Sequence, residues 1–406
     1  MPDPTADTAG SPGSPAPALQ PATRAITSGR RASGRSLAPA LWASSVWQTE
    51  DMHDARKRAT GVRIDEFYSR HSNPTVRSFE DAVADLEGAE ASLAFASGMG
   101  ALSTVILALC SKGDHIVAQR NLYSATLAFL QGPCARFGID VTFVDGTEPG
   151  AFAAAVRPGR TMLALAETPS NPRLALVDFE ELTALRGPIT LVDSTFATPL
   201  GQQPLAHGIH LSLHSATKGI AGHNDATLGV VSGERDLIDM IWGYSILHGA
   251  TPSPFDALNA LRGIRTLAVR TNHQNNSALF LAETMERHPG VSAVHYPGLS
   301  SHPQHLLAKQ QMRQFGTVFS LELSGGRAAA EHVLSAVQLV RCATSLGGPE
   351  TLVCHPCTTT HASLTPEEAA EQGVTPGLLR ISVGLEDPAD VLADLQAALA
   401  GVPGPA

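Results

Sequence analysis

Residues 189–218 read ITLVDSTFATPLGQQPLAHGIHLSLHSATK, and they hold two short apolar runs, ITLVDST (189–195) and LSLHSAT (211–217), each ending in a polar cluster. The same rhythm extends to both sides, with ASLAFA (91–96), DHIVAQ (114–119), IDVTFVD (139–145), TMLALAE (161–167) and TLGVVSG (227–233). Near-continuous apolar runs, rather than strict alternation, belong to strands covered on both faces, as in a mostly parallel sheet. Between them lie helix candidates such as FEELTALRG (179–187), which ends on a glycine suited to a helix cap. The pattern predicts an α/β large domain over residues 90–254. Beyond it the rhythm changes to a long helical stretch (255–288), the strand TVFSLEL (317–323) and a helix over 328–340. The strand LLRISVGL (378–385) follows, then a helix over 389–401 opened by Asp387-Pro388. Mixed elements of this kind predict a smaller α+β C-terminal domain over 255–402.

Composition narrows the class. The 406 residues are 43% hydrophobic, enough for a sizeable core, and 38 acidic against 28 basic side chains give a net charge of −10. Such a surface repels a nucleic-acid backbone. No apolar run approaches the roughly 20 residues needed to cross a bilayer, so no membrane span is predicted. Five cysteines without a repeating spacing fit a reducing compartment, which points to the cytoplasm. Residues 1–36, rich in Pro, Ala, Ser and Gly, read as a flexible leader. The absence of acid between residues 8 and 49 keeps an organellar transit peptide open as another reading of that segment.

The chemistry gathers at the ends of the strand candidates. Lys218 follows LSLH at a strand's C-terminal edge, where open α/β sheets bind their ligands, and a deprotonated lysine there condenses with an aldehyde. Asp193 ends the preceding strand, within reach of Lys218 in a parallel sheet, and a carboxylate in that place keeps a pyridine nitrogen protonated. Ser97-Gly98-Met99-Gly100 links a strand to a helix, so its N–H groups can face a phosphate, and Ser215 and Thr217 can add hydroxyl donors. Tyr123 can stack on a planar ring, and Arg380 can grip a carboxylate with its forked guanidinium. Taken singly, each has a plainer reading: a solvated loop lysine, a polar strand end, an ordinary turn, a core tyrosine, a surface ion pair. Together they fit pyridoxal 5'-phosphate (PLP). The segment CHPC (354–357), with His361 nearby, lacks a second ligand pair at metal-site spacing, and no metal is predicted.

These residues fall within a longer series of landmarks: YSRHSNPT (68–75), ASGMGA (96–101), ETPSNP (167–172), VDSTFATP (192–199), HSATKGIAGHND (214–225), LRGIRTL (261–267), YPGLSSHP (296–303), TSLGGPETL (344–352) and LLRISVGLE (378–386). From about residue 37 to 400 the chain resembles the Cys/Met-metabolism PLP-dependent enzymes, the trans-sulfuration family. That family includes cystathionine γ-synthase, cystathionine γ-lyase, methionine γ-lyase and the homoserine sulfhydrylases. The resemblance implies the aspartate-aminotransferase (type I) fold, small amino-acid substrates and a homotetramer built as a dimer of dimers. It implies that residues 37–89 form an arm contacting the partner subunit. By the same resemblance, Lys218 is the Schiff-base lysine, Asp193 partners the pyridine nitrogen and Tyr123 stacks on the ring. Gly98, Met99, Ser215 and Thr217 would hold the phosphate, and Tyr68 and Arg70 would complete the neighbouring subunit's phosphate site. Asn171 would contact the ring hydroxyl, and Arg380 with Ser345 would bind the substrate α-carboxylate.

Which reaction follows is less legible. GIAGHND (219–225) and RTNHQNNSALFLAE (270–283) resemble the plant-type synthase branch. Methionine γ-lyases carry a cysteine where this chain has Ala125. Thr344 stands where many cystathionine-handling members have glutamate, and Tyr123-Ser124-Ala125-Thr126 replaces the usual Tyr-Gly-Gly-Thr. The expectation is γ-replacement on an activated homoserine, with γ-elimination or sulfhydrylation as alternatives. A non-catalytic binding subunit is the reading from another class, and the intact Lys218, Asp193, Tyr123 and Arg380 set stands against it.

Overall fold

The computed structural model describes residues 19–30, 33–400 and 402. Its larger sheet has seven strands: β1 (Ala91–Phe95), β2 (His115–Gln119), β3 (Asp140–Val144), β4 (Thr161–Glu167), β5 (Ile189–Asp193), β6 (Leu211–His214) and β7 (Gly229–Gly233). They lie in the order β1-β7-β6-β5-β4-β2-β3. β7 runs antiparallel to both of its neighbours, and the pairs among β6, β5, β4, β2 and β3 are parallel. Alternation along the strands sends Leu163 and Leu165 of β4 into one core and Ala164 and Ala166 into another. Both faces are therefore apolar, which is why the strands read as unbroken hydrophobic runs.

The smaller sheet comprises β8 (Val291–His295), β9 (Val318–Leu323), β10 (Arg341–Cys342), β11 (Leu352–Cys354) and β12 (Leu378–Ser382), in the order β10-β11-β12-β9-β8. Only β9 and β12 stand out in the sequence. β10 has two exposed residues and β8 is partly exposed, so neither carries a continuous apolar signal. The last helix, Pro388–Leu399, starts as expected, with the Asp387 side chain accepting from the Ala389 N–H. The helix at 179 ends at Ala184, before Gly187.

At three places the structure adds to the sequence reading of the domains. Residues 21–27 of the expected leader form a helix whose Ala25 is buried in the same core as Leu261, and Arg24 Nε pairs with Asp85 at 3.1 Å. Average composition hides a helix of about two turns held by tertiary contacts; residues 1–18, 31 and 32 lie outside the described residues. Helix Pro74–Glu87, assigned to the partner-facing arm, is buried along most of its length and packs on β1 and on helix Pro254–Met285. Asn73 caps its start by accepting from the Thr75 and Val76 N–H groups. Finally, the expected domain boundary at 254/255 coincides with the start of helix Pro254–Met285, which belongs to both units. Ala257, Leu261 and Ile264 enter a core of the large domain, and Ala278, Leu281 and Met285 the core of the small one. Among the described residues no helix is long and apolar enough to cross a membrane.

Candidate active site

The parallel strands β2, β4, β5 and β6 bring Gln119, Glu167, Asp193 and His214 to one edge of the sheet. A cavity of about 340 Å³ opens there, closed on one side by the start of helix Gly98–Leu109 and on the other by Thr344, Ser345, Thr360 and Arg380 of the smaller domain. Ten expected site residues line it: Gly98, Met99, Tyr123, Asn171, Asp193, Ser215, Thr217, Lys218, Ser345 and Arg380.

Lys218 sits in the turn after β6, and its Nζ donates to Ser345 Oγ at 2.9 Å. Burial, aided by the Arg380 charge, holds its pKa below the usual lysine value, which favours a neutral, basic amine. Asp193 Oδ1 accepts from both the N–H and the hydroxyl of Thr195, at 3.0 and 2.5 Å. The same hydroxyl accepts from the Ser215 N–H at 2.8 Å, so Thr195 ties the end of β5 to the lysine turn. Burial raises the Asp193 pKa, and the Thr195 bonds oppose it. A cationic ring nitrogen facing this carboxylate would oppose it further.

Ser97 caps helix Gly98–Leu109 by accepting from the Gly100 N–H at 3.0 Å. The N–H groups of Gly98 and Met99 have no intrahelical acceptor and face the cavity end of a 12-residue helix. A Cβ on Gly98 would lie 2.9 Å from Ser215 Cβ, inside the space these donors share. The Thr217 hydroxyl donates to Leu228 O at 3.1 Å and accepts from the Leu228 N–H, so it mainly fixes the loop. Anion donors at a helix start, a carboxylate and a buried lysine together suit PLP: Gly98, Met99 and Ser215 would hold its phosphate and Asp193 would face its ring nitrogen. Gly98→Ala is expected to cost about 1–3 kcal/mol of cofactor binding through overpacking, roughly a 10- to 100-fold rise in Kd. Titration of the apo-protein with PLP checks this.

Arg380 projects from β12, flanked by β9 and β11. It is 3% exposed, yet no carboxylate among the described residues lies within ion-pair distance, and its Nε has no partner. Nη1 donates to Asn171 Oδ1 and Nη2 to Ser345 O, both at 2.9 Å. Asn171 thus spends its oxygen on Arg380, leaving Nδ2 for a ligand. Ser345 adopts φ +87°, an uncommon conformation for a residue with a Cβ, while its hydroxyl meets Lys218 and its carbonyl meets Arg380.

Tyr68 and Arg70 are not at this cavity. Both are exposed; the Arg70 guanidinium lies 5.1 Å from the centre of the Tyr68 ring, and Nη1 donates to Ile246 O. Two cavity residues without a role in the sequence reading are Thr195 and Glu167, the latter a buried carboxylate that accepts from the Tyr123 and Asn171 N–H groups. The available signal for Glu167 was an acid closing an otherwise apolar strand. In the CHPC segment, both His355 ring nitrogens are engaged, by Thr358 Oγ1 and Pro376 O.

The model of a family described as Cys/Met metabolism PLP-dependent enzyme matches residues 22–400. The match starts inside the expected leader, so the resemblance includes the helix at 21–27. Among curated proteins, O-succinylhomoserine sulfhydrylase of Pseudomonas aeruginosa is 40% identical over 384 residues, covering 94% of this chain and 95% of that protein. L-methionine γ-lyase of Pseudomonas putida is 41% identical over 385 residues, covering 93% and 96%. Among solved structures, cystathionine γ-synthase from Xanthomonas oryzae pv. oryzae in complex with cystathionine has a TM-score of 0.89 at 34% identity, covering 94% of this chain and 98% of that one. Agreement along nearly the whole chain, with a cavity suited to PLP, leads to one assignment: the chain belongs to the Cys/Met-metabolism family of PLP-dependent enzymes.

Proposed function

We propose that this enzyme catalyses γ-replacement, exchanging the γ-substituent of an activated homoserine for a thiol. The observation that carries an amino-acid substrate is Arg380, a buried cation without a carboxylate, joined through Ser345 to Lys218. A substrate α-carboxylate completes its bonding and places Cα beside Nζ. PLP, when bound, supplies the electron sink that acidifies Cα. Lys218, with its lowered pKa, takes the Cα proton. Asp193 would keep the ring nitrogen of bound PLP protonated, and the Tyr123 phenol, 42% exposed, would serve as the acid for the departing γ-group.

γ-Replacement rather than elimination is supported by the synthase-like segments at 219–225 and 270–283, by Ala125, and by the sulfhydrylase relative. Elimination is the second reading, favoured by the identity to L-methionine γ-lyase. Incubation of the holoenzyme with O-acyl- or O-phosphohomoserine, with and without cysteine or sulfide, separates them. A thioether or thiol amino acid should form at the expense of 2-oxobutanoate. Steady release of 2-oxobutanoate from methionine alone, with no replacement product, overturns the reading.

Tyr68 and Arg70, exposed and away from their own cavity, fit a role at the phosphate site of a second copy. Leu247 and Met52, 81% and 91% exposed, are apolar surface available to such a partner. Assembly into at least a dimer in the cytoplasm is part of the proposal.

A further inference from the structure

Glu167 closes β4 and is 3% exposed, with no cation paired to it among the described residues. Its Oε2 accepts from the Tyr123 N–H at 2.8 Å and its Oε1 from the Asn171 N–H at 2.7 Å. Its register partner on β5 is Asp193, so two carboxylates stand side by side on neighbouring strands. Burial, and next the Asp193 charge, push the Glu167 carboxyl up to about 8. A second acid here is therefore unfavourable for the fold, and a neutral side chain of the same size would avoid that cost. What an amide of that size does not provide is two oxygen acceptors. N–H groups from residues 44 and 4 positions away converge on the two oxygens, and glutamine would meet one of them with its own N–H.

From those two bonds a continuous path runs to the reacting atoms. On one side it reaches the backbone of Tyr123. On the other it passes Asn171, whose Oδ1 holds Arg380; Arg380 reaches Ser345 O, and Ser345 Oγ meets Lys218 Nζ. We propose that Glu167 is the positioning residue of this site, a two-pronged strut that sets Tyr123 and the Asn171–Arg380 carboxylate clamp at one fixed spacing around Lys218. It touches the cavity wall and acts through these residues. The inference rests on PLP chemistry at Lys218 and is independent of which γ-group is exchanged.

The test is Glu167→Gln, read by Cα-deuterium exchange of L-methionine in D2O. This step precedes any loss of a γ-group and so stays measurable whatever product the enzyme makes. A displacement of the clamp by about 1 Å is expected to slow exchange roughly 100-fold. The bound cofactor's visible absorption and the Tm of the holoenzyme should be retained. In the Glu167→Gln background, adding Asn171→Ala should cost much less than it does alone, because both changes release the same clamp. Three outcomes overturn the proposal: exchange within about threefold of the wild type, losses that simply multiply in the double variant, or a loss that follows the cofactor absorption or the Tm.

Discussion

Lys218→Ala is expected to lower kcat by at least about 1,000-fold, since it deletes the proposed general base and, among the described residues, the one lysine lining the cavity. The cofactor should also be lost on desalting, because the bond that retains it requires that amine. Measured turnover and the visible absorption of the desalted protein check both parts. The fold should be little affected, as the Lys218 side chain donates a single hydrogen bond, to Ser345. Lys218→Arg should not restore activity: a guanidinium keeps its proton and cannot serve as the base. A coloured, active Lys218→Ala protein would remove the enzyme's centre from this cavity.

Asp193→Asn should bind the cofactor and work poorly. The amide oxygen can still accept from Thr195, so the turn to Ser215 is kept, and what disappears is the charge that would face the bound cofactor's ring nitrogen. Truncating one partner of a buried charged pair costs about 2–5 kcal/mol, and the middle of that range is roughly a 100- to 1,000-fold loss of kcat. The apo-protein should respond in the opposite direction. Burial raises the Asp193 pKa above its ordinary 3.8, so the folded apo-form holds this proton more tightly than the unfolded chain does. Its contribution to stability is fullest below that ordinary value and falls as pH rises through the raised one. At neutral pH apo Asp193→Asn should be at least as stable as the wild-type apo-protein, by thermal unfolding. A variant with wild-type kcat would show that the ring nitrogen has another partner.

Lys218 and Asp193 were legible in the sequence for the same reason that the sheet was. Strands buried on both faces announce themselves as apolar runs, and a parallel sheet delivers the polar residues that follow those runs to a single edge. Arg380 was visible as a charge inside an apolar strand, although its lack of an ionic partner among the described residues is a fact of three dimensions. Glu167 carried the weaker signal. Its function depends on backbone N–H groups, which every residue but proline possesses, so residue types do not announce such a bond. The helix at 21–27 was hidden in the opposite way, by neighbours whose composition outweighed one short helix. That helix Pro74–Glu87 packs on its own sheet was not legible, because periodicity alone does not say which element a helix covers.

Helix Pro254–Met285, at 32 residues, is about 48 Å long and is embedded at its two ends in different cores. It works as a beam. Swinging the cores apart would require bending it, and a regular helix without an internal proline resists a sharp kink. Access to the cavity is therefore expected through short rim segments, those around Thr344–Leu346 and Thr360, with the distance between Arg380 and the sheet little changed during turnover. Amide exchange during catalysis should rise in those rims and stay slow along the beam.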